Sequence, residues 1–148
     1  MTRRRSALLL LVVATLAWGV PPATARPSFA LARIELVFQN GRGDITVPLR
    51  YPDLRVYATL QFTGAGILRA TWKVDGRILA TVAEPVVFGE ILMFAIPRTV
   101  PLPTFEPGLH RVALEVVQPR PAFKLPEITY FVTAEDYEDF KKRMEKLQ

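Results

Sequence analysis

Residues Arg55–Val82, RVYATLQFTGAGILRATWKVDGRILATV, decide the fold. From Arg55 to Thr63 every second side chain is apolar: Val56, Ala58, Leu60 and Phe62 share one face, and Arg55, Tyr57, Thr59, Gln61 and Thr63 share the other. Successive side chains of a strand point to opposite faces, so a period of two describes a strand with one buried and one wet side. Gly64 and Gly66 mark a turn, after which Leu68, Ala70, Trp72 and Val74 fall inward and Arg69, Thr71 and Lys73 outward. Asp75-Gly76 is the signal of a two-residue hairpin, whose central positions need positive φ, and it leads into a third strand from Arg77 to Val82.

The pattern extends in both directions. Upstream, Arg33–Phe38 (RIELVF) alternates with Ile34, Leu36 and Phe38 on one face, Gln39–Asp44 (QNGRGD) reads as a turn, and Asp44–Leu49 returns as a strand that would make a hairpin with the first. Pro48 and Pro52 restrict that return, since neither can donate to a ladder. Downstream, Val86–Ile96 reads as one strand with a bulge or bend at Gly89. Pro97–Pro107 (PRTVPLPTFEP) holds four prolines and reads as a stiff crossover between sheets. Leu109–Val117 is then a central strand with Val112, Leu114 and Val116 inward, and Glu127–Val132 closes the β part.

Seven or eight short strands with no helix between them to carry a parallel crossover predict an all-β, immunoglobulin-like antiparallel sandwich. Its interior is expected to gather Leu60, Trp72, His110, Val112 and Leu114. The period changes after residue 132. Thr133 can cap a helix with acids in its first turn, Lys141, Lys142, Arg143 and Lys146 crowd its far half, and Tyr137, Phe140, Met144 and Leu147 form one apolar stripe. The expected organisation is therefore an export signal over residues 1–25, a sandwich over 26–132 and a C-terminal amphipathic helix over 133–148.

The export signal rests on Arg3, Arg4 and Arg5, an uncharged run of 14 residues from Ala7 to Val20, and Pro21 and Pro22 before the small triplet Ala23, Thr24, Ala25. A bilayer-crossing helix needs about 20 apolar residues, so the run favours cleavage after Ala25 over anchoring. A periplasmic or secreted location follows, with no stable membrane insertion after cleavage. The remaining 123 residues carry 16 basic and 14 acidic side chains and no basic cluster, which argues against a nucleic-acid partner. Cysteine is absent, which excludes thiol catalysis, thiolate metal sites and disulfides, and leaves apolar burial and backbone pairing to hold the domain.

Pro107–Val116 (PGLHRVALEV), taken with Trp72 in TWKVDG, resembles the immunoglobulin-like and fibronectin-type-III-like β-sandwich modules of bacterial envelope proteins. The resemblance spans Arg33–Val132. It implies that Trp72 is the core tryptophan, that Val112 takes the place of the usual cysteine, and that His110 takes the place of a tyrosine whose hydroxyl bonds to the backbone of the preceding corner. An architecture of this kind hosts many unrelated roles.

His110 is the single histidine, and strand parity places it at the end of the apolar face, where a ring donating to a loop carbonyl accounts for it. Asp44, Asp53 and Asp75 lie beside turn residues, where a carboxylate commonly bonds nearby backbone. No spacing calls for a metal or a cofactor. A partner surface is expected from the proline-rich stretches with Phe105 and Phe123 and from the helical stripe of Tyr137, Phe140, Met144 and Leu147. Three classes of function remain: a non-enzymatic envelope module that binds another envelope protein or itself; a sandwich that binds carbohydrate or another small ligand, which needs a coplanar exposed pair among Tyr51, Tyr57 and Phe105; and a hydrolase, which needs a pocket holding His110 with a carboxylate in hydrogen-bond reach.

Overall fold

The computed structural model describes residues 28–147; the export signal expected over residues 1–25 lies outside them. Two sheets face one another. β1 (Ala30–Phe38), β3 (Val56–Thr63) and β6 (Ile91–Ala95) form a three-stranded layer in the order β1-β3-β6. β2 (Asp44–Leu49), β8 (Glu127–Asp136), β7 (Gly108–Gln118), β4 (Gly66–Val74) and β5 (Arg77–Val86) form the second, in the order β2-β8-β7-β4-β5. A short helix, α1 (Tyr137–Glu145), follows β8. This is the all-β, immunoglobulin-like sandwich with a C-terminal helix that the alternation predicts.

Between the layers Leu60, Trp72, Val112, Leu114, Tyr130 and Val132 are all inaccessible to solvent. Trp72 meets Phe94 of the opposite sheet edge-on, with ring centroids 6.1 Å apart. Burial at roughly 25 cal/mol per Å2 of apolar surface is the main stabilising contribution available to a domain without disulfides.

Three expectations need correction. β1 and β2 do not form a hairpin. β1 pairs with β3, whereas β2 crosses to the other layer and pairs with β8 in parallel, Asp44 opposite Thr129 and Val47 opposite Val132. Two parallel strands far apart in sequence can meet without a helical crossover because the rest of the sandwich connects them. Pro48 explains why β2 sits at an edge: it interrupts the register between Val47 and Leu49, which only a strand paired on one side tolerates. The parallel pair also makes the larger sheet mixed rather than purely antiparallel.

Val86–Ile96, read as one strand, is the last residue of β5, a turn over residues 87–90, and β6. Gly89 takes a positive φ of +72°, closing a turn in which the Glu90 carboxylate accepts from the Val87 N–H at 2.8 Å, and the chain changes sheets there. Finally, α1 is capped by Asp136 rather than Thr133: β8 runs four residues further than its pattern suggests, and the Asp136 side chain accepts from the Glu138 N–H at 3.1 Å. The Asp75-Gly76 turn, by contrast, has positive φ at both positions, +48° and +79°, and joins β4 to β5 in register. Pro97–Pro107 does carry the chain from β6 in one sheet to β7 in the other.

Candidate functional site

At the end of the sandwich where β4 turns into β5, two side chains and a backbone carbonyl from three segments converge on His110. Its Nδ1 lies 2.7 Å from Asp75 Oδ2, and its Nε2 lies 2.9 Å from the carbonyl oxygen of Glu106. Asp75 Oδ1 accepts from the Arg111 N–H at 2.9 Å, and the Asp75 N–H donates to the Arg111 carbonyl at 2.9 Å, so the turn is stitched to β7 as well. The imidazole stacks on the Tyr130 ring at 5.0 Å, and the Tyr130 hydroxyl donates to the Pro103 carbonyl at 2.7 Å. Thr104 is buried, and its hydroxyl donates to the Tyr51 carbonyl at 3.0 Å. His110 thus performs the corner bond, four residues upstream, that the family resemblance assigns to a tyrosine.

The two ring contacts favour the charged ring. Both partners of the ring are acceptors, so the imidazolium, which donates from both nitrogens, is the form that satisfies both contacts. Burial disfavours that charge, but the bonds to Asp75 and to the Glu106 carbonyl outweigh it and hold the His110 pKa above 6.5. Burial likewise works to raise the Asp75 pKa, and the bonds from His110 and the Arg111 N–H overcome it and bring it below 3.8. Burial raises the Tyr130 hydroxyl well above the ordinary phenol range, with the Asp75 charge adding to the shift.

A groove of about 430 Å3 opens beside this cluster, lined in part by Arg77, Leu79, Phe105, Glu106 and His110. It meets the geometric condition set for a hydrolase, a histidine in a pocket with a carboxylate in reach. The chemistry does not follow. A general base needs one ring nitrogen hydrogen-bonded to the carboxylate and the other free to face a nucleophile, whereas here Nε2 is capped by a backbone carbonyl. The hydroxyl of nearby Thr104 is also committed, to Tyr51. The cluster is a clamp that ties the β4–β5 turn and the proline-rich crossover to β7.

The residues expected to face a partner do not form one surface. Phe105 is 69% exposed at the clamped end, and α1 follows β8 near that same end, since Gly108 pairs with Val132. Phe123 lies in the β7–β8 connection at the opposite end and is 42% exposed. Within α1 no residue is fully buried; Tyr137 meets Tyr51 edge-on at 5.5 Å, Phe140 lies under the Arg143 guanidinium, and Met144 is exposed, as is Leu147 just beyond the helix. Of the three rings named for a carbohydrate platform, Tyr51 is engaged with Tyr137, Tyr57 lies on the outer face of β3 and Phe105 on the crossover, so they do not make a coplanar pair. Leu60, Trp72, Val112 and Leu114 are buried, and His110 nearly so. Among the described residues no three His, Asp or Glu side chains converge as metal ligands would.

The sequence pattern passed over the β6 edge. Among the described residues β6 pairs with β3 alone, Gln61 opposite Ile91, Thr59 opposite Met93 and Tyr57 opposite Ala95. The Phe62 N–H donates to the Glu90 carbonyl and the Ile96 N–H to the Val56 carbonyl, so even-numbered residues of β6 bond to β3. By antiparallel alternation the N–H and C=O groups of Ile91, Met93 and Ala95 point away, along a free edge. Their side chains lie on the outer face of the sheet, where Ile91 and Met93 are well exposed, and Val87 and Phe88 are exposed in the preceding turn. The signal was present in VVFGEILMFA: apolar side chains occupy both parities, which suits a strand covered on two faces, yet β6 is covered on one.

No family model matches this chain, and no curated protein matches it. Among solved structures, the sandwich is similar to a CARDB domain from Pyrococcus furiosus in solution, with a TM-score of 0.54 and 9% identity over 74% of this chain and 97% of that one. A crystal structure of a CARDB domain from the same organism, in complex with di-metal ions, gives a TM-score of 0.52 and 10% identity, covering 74% of this chain and 96% of that one. At such identities the likeness shows the fold alone. The class is thus a β-sandwich module of immunoglobulin-like type.

Proposed function

We propose that this chain is a non-enzymatic, exported module of the bacterial cell envelope that binds another envelope protein or itself. The observation that carries the reading is the outer edge of β6, where backbone groups that no strand of the described residues pairs with and the exposed side chains of Ile91 and Met93 lie beside Val87 and Phe88. An edge of that kind accepts a strand from another chain, with main-chain bonds supplying affinity and side chains supplying selectivity. Export is supported by the basic, apolar and small-residue order of residues 1–25. The commitment of both His110 nitrogens supports the non-enzymatic part.

A photo-cross-linking residue placed at Met93, in cells making the intact protein, tests the reading. Protein adducts from position 93, and not from the exposed Val117 on the outer face of β7, are the expected result. Equal adducts at both positions, or none at 93, would overturn it.

A further inference from the structure

We propose that Phe105, Glu106 and Pro107 form a strap beside the groove, which the charged ring of His110 holds in place and the neutral ring lets go. The inference is independent of what binds the β6 edge.

The crossover is fastened on both sides of these three residues and by a single contact between them. Upstream, the Pro103 carbonyl accepts from the Tyr130 hydroxyl at 2.7 Å, the Thr104 carbonyl accepts from the Arg50 N–H at 2.8 Å, and the buried Thr104 hydroxyl donates to the Tyr51 carbonyl. Downstream, Gly108 enters the β7 ladder opposite Val132. Phe105, Glu106 and Pro107 are all exposed. Among the described residues, the one hydrogen bond that ties them to the rest of the domain is the contact of the Glu106 carbonyl with His110 Nε2, at 2.9 Å. Pro107 has no N–H to add another. Gly108 has φ +131°, a conformation that glycine enters and leaves at little cost, so a hinge is present at that end. Phe105 and Glu106 line the groove together with Arg77 and Leu79 of β5, and movement of the strap changes the shape of that groove.

A neutral imidazole has one N–H to share between two acceptors. The Asp75 carboxylate is an anion, and a bond to an ionised acceptor is about twice as strong as one between neutral groups. The remaining proton therefore stays on Nδ1, facing Asp75. Nε2 gives its proton to solvent and sets a lone pair against the Glu106 carbonyl, where two acceptors repel. The β4–β5 turn does not follow the strap, because Asp75 keeps its bonds to the N–H and the carbonyl of Arg111.

The charged and titratable groups about the ring are Asp75 in the turn, Arg77 on β5, Glu106 in the strap, Arg111 beside it on β7 and Tyr130 on β8. Burial works against the charged ring, while the bonds to Asp75 and the Glu106 carbonyl, and the charges of both residues, work for it, so release falls above pH 6.5. Asp75 lies below 3.8 and stays ionised there, and Tyr130, raised by burial well above the ordinary phenol range, stays protonated as the ring titrates.

Carbon-detected NMR relaxation of the protein purified as expressed, from about pH 5 to about pH 9, tests this across the imidazole titration. The ring resonances of the single histidine report its charge in the same samples. The α-carbons of Phe105 and Glu106 should show order parameters near about 0.85 while the ring is charged and below about 0.6 once it is neutral, with the midpoint of the ring itself. Thr104 and Asp75 should keep their order throughout. In Asp75→Asn the amide nitrogen that replaces Oδ2 donates to Nδ1, so the neutral ring keeps its proton on Nε2 and the strap should stay ordered over the whole range. Circular dichroism of the variant establishes that it is folded. Unchanged order at Phe105 and Glu106 while the ring titrates, or a ring that holds one charge throughout, overturns the inference. Loss of order at Asp75 together with the strap, or a loose strap above the ring's midpoint in Asp75→Asn, overturns it as well, since the carboxylate then does not choose which contact is kept.

Discussion

The imidazole of His110 bridges the Asp75 carboxylate, 2.7 Å from Nδ1, and the main chain of the crossover, so that one ring joins a hairpin turn on one side to a proline-rich connection on the other. Arg77 on β5 and the stacked Tyr130 on β8 complete its surroundings, Arg77 favouring the charged form of Asp75. The pH dependence follows from the two directions of shift. His110 has a folded pKa raised above 6.5, so its contribution to stability is complete below 6.5 and is lost as pH rises through the folded value. Asp75 has a folded pKa lowered below 3.8, so its contribution is complete above 3.8 and is lost as pH falls through the folded value. The clamp is therefore whole between about 3.8 and 6.5. Thermal unfolding should show a larger difference between wild type and His110→Gln at pH 5.5 than at pH 9. As the single histidine, its imidazole resonances can be followed alone by NMR, and titration at or below 6.5 would contradict the doubly donating ring.

Removing either partner of the clamp should reveal the coupling between them. His110→Gln is expected to destabilise by about 1–2 kcal/mol, the lower part of the range for a charged hydrogen bond whose acceptor is half open to solvent. Asp75→Asn keeps a side chain that tolerates φ +48° and should lose less than Asp75→Ala, which adds backbone strain. Urea unfolding of both single variants and of His110→Gln/Asp75→Asn should give a coupling of about 0.5–1.5 kcal/mol. Strict additivity would mean that the contact contributes nothing.

The strands were legible where one face is buried and the other wet. Arg55–Val82 specifies β3, β4 and their faces because each slip by one residue would expose Leu60 or Trp72. The partners of the strands were not legible, and the reason is local: a turn such as Gln39–Asp44 bonds equally well within a hairpin or in a link between layers. Only the burial of Val47 beneath β8's side of the sandwich decides between them. The role of His110 as a corner donor was readable from parity and position, whereas Asp75 could be assigned only to its own turn. Its bond to His110 depends on β4 and β7 being neighbours, the two residues lying 35 positions apart in sequence. The β6 edge was hidden for the same reason, since exposure there follows from sheet order and not from the side chains of ILMFA.

Packing between the layers predicts a sharp contrast within β3. Leu60 is fully buried between the sheets, and Leu60→Ala removes contacts from both, so a loss of about 2–5 kcal/mol is expected by chemical denaturation. Thr59, its neighbour in sequence, faces outward opposite Met93, and Thr59→Ala should change stability by less than about 1 kcal/mol. Similar losses for the two would contradict the assignment of faces.

The helix should respond to its cap without disturbing the sandwich. Asp136 accepts from the Glu138 N–H and pairs with Arg50 beyond β2, which joins the first turn of α1 to the end of the larger sheet. Both contacts favour the ionised carboxylate, the backbone bond most and the Arg50 bond next, and its pKa lies below 3.8. Asp136→Ala removes the cap and the ion pair together. Since no residue of α1 is fully buried, little else holds the helix in place apart from Tyr137 against Tyr51 and the Arg143–Glu135 bond to the preceding strand. Amide exchange should therefore quicken across residues 138–145 in this variant while β7 and β8 up to Val132 keep their protection. Protection lost throughout β8 would show instead that the helix stabilises the domain, and an unchanged α1 would show that Asp136 does not cap it.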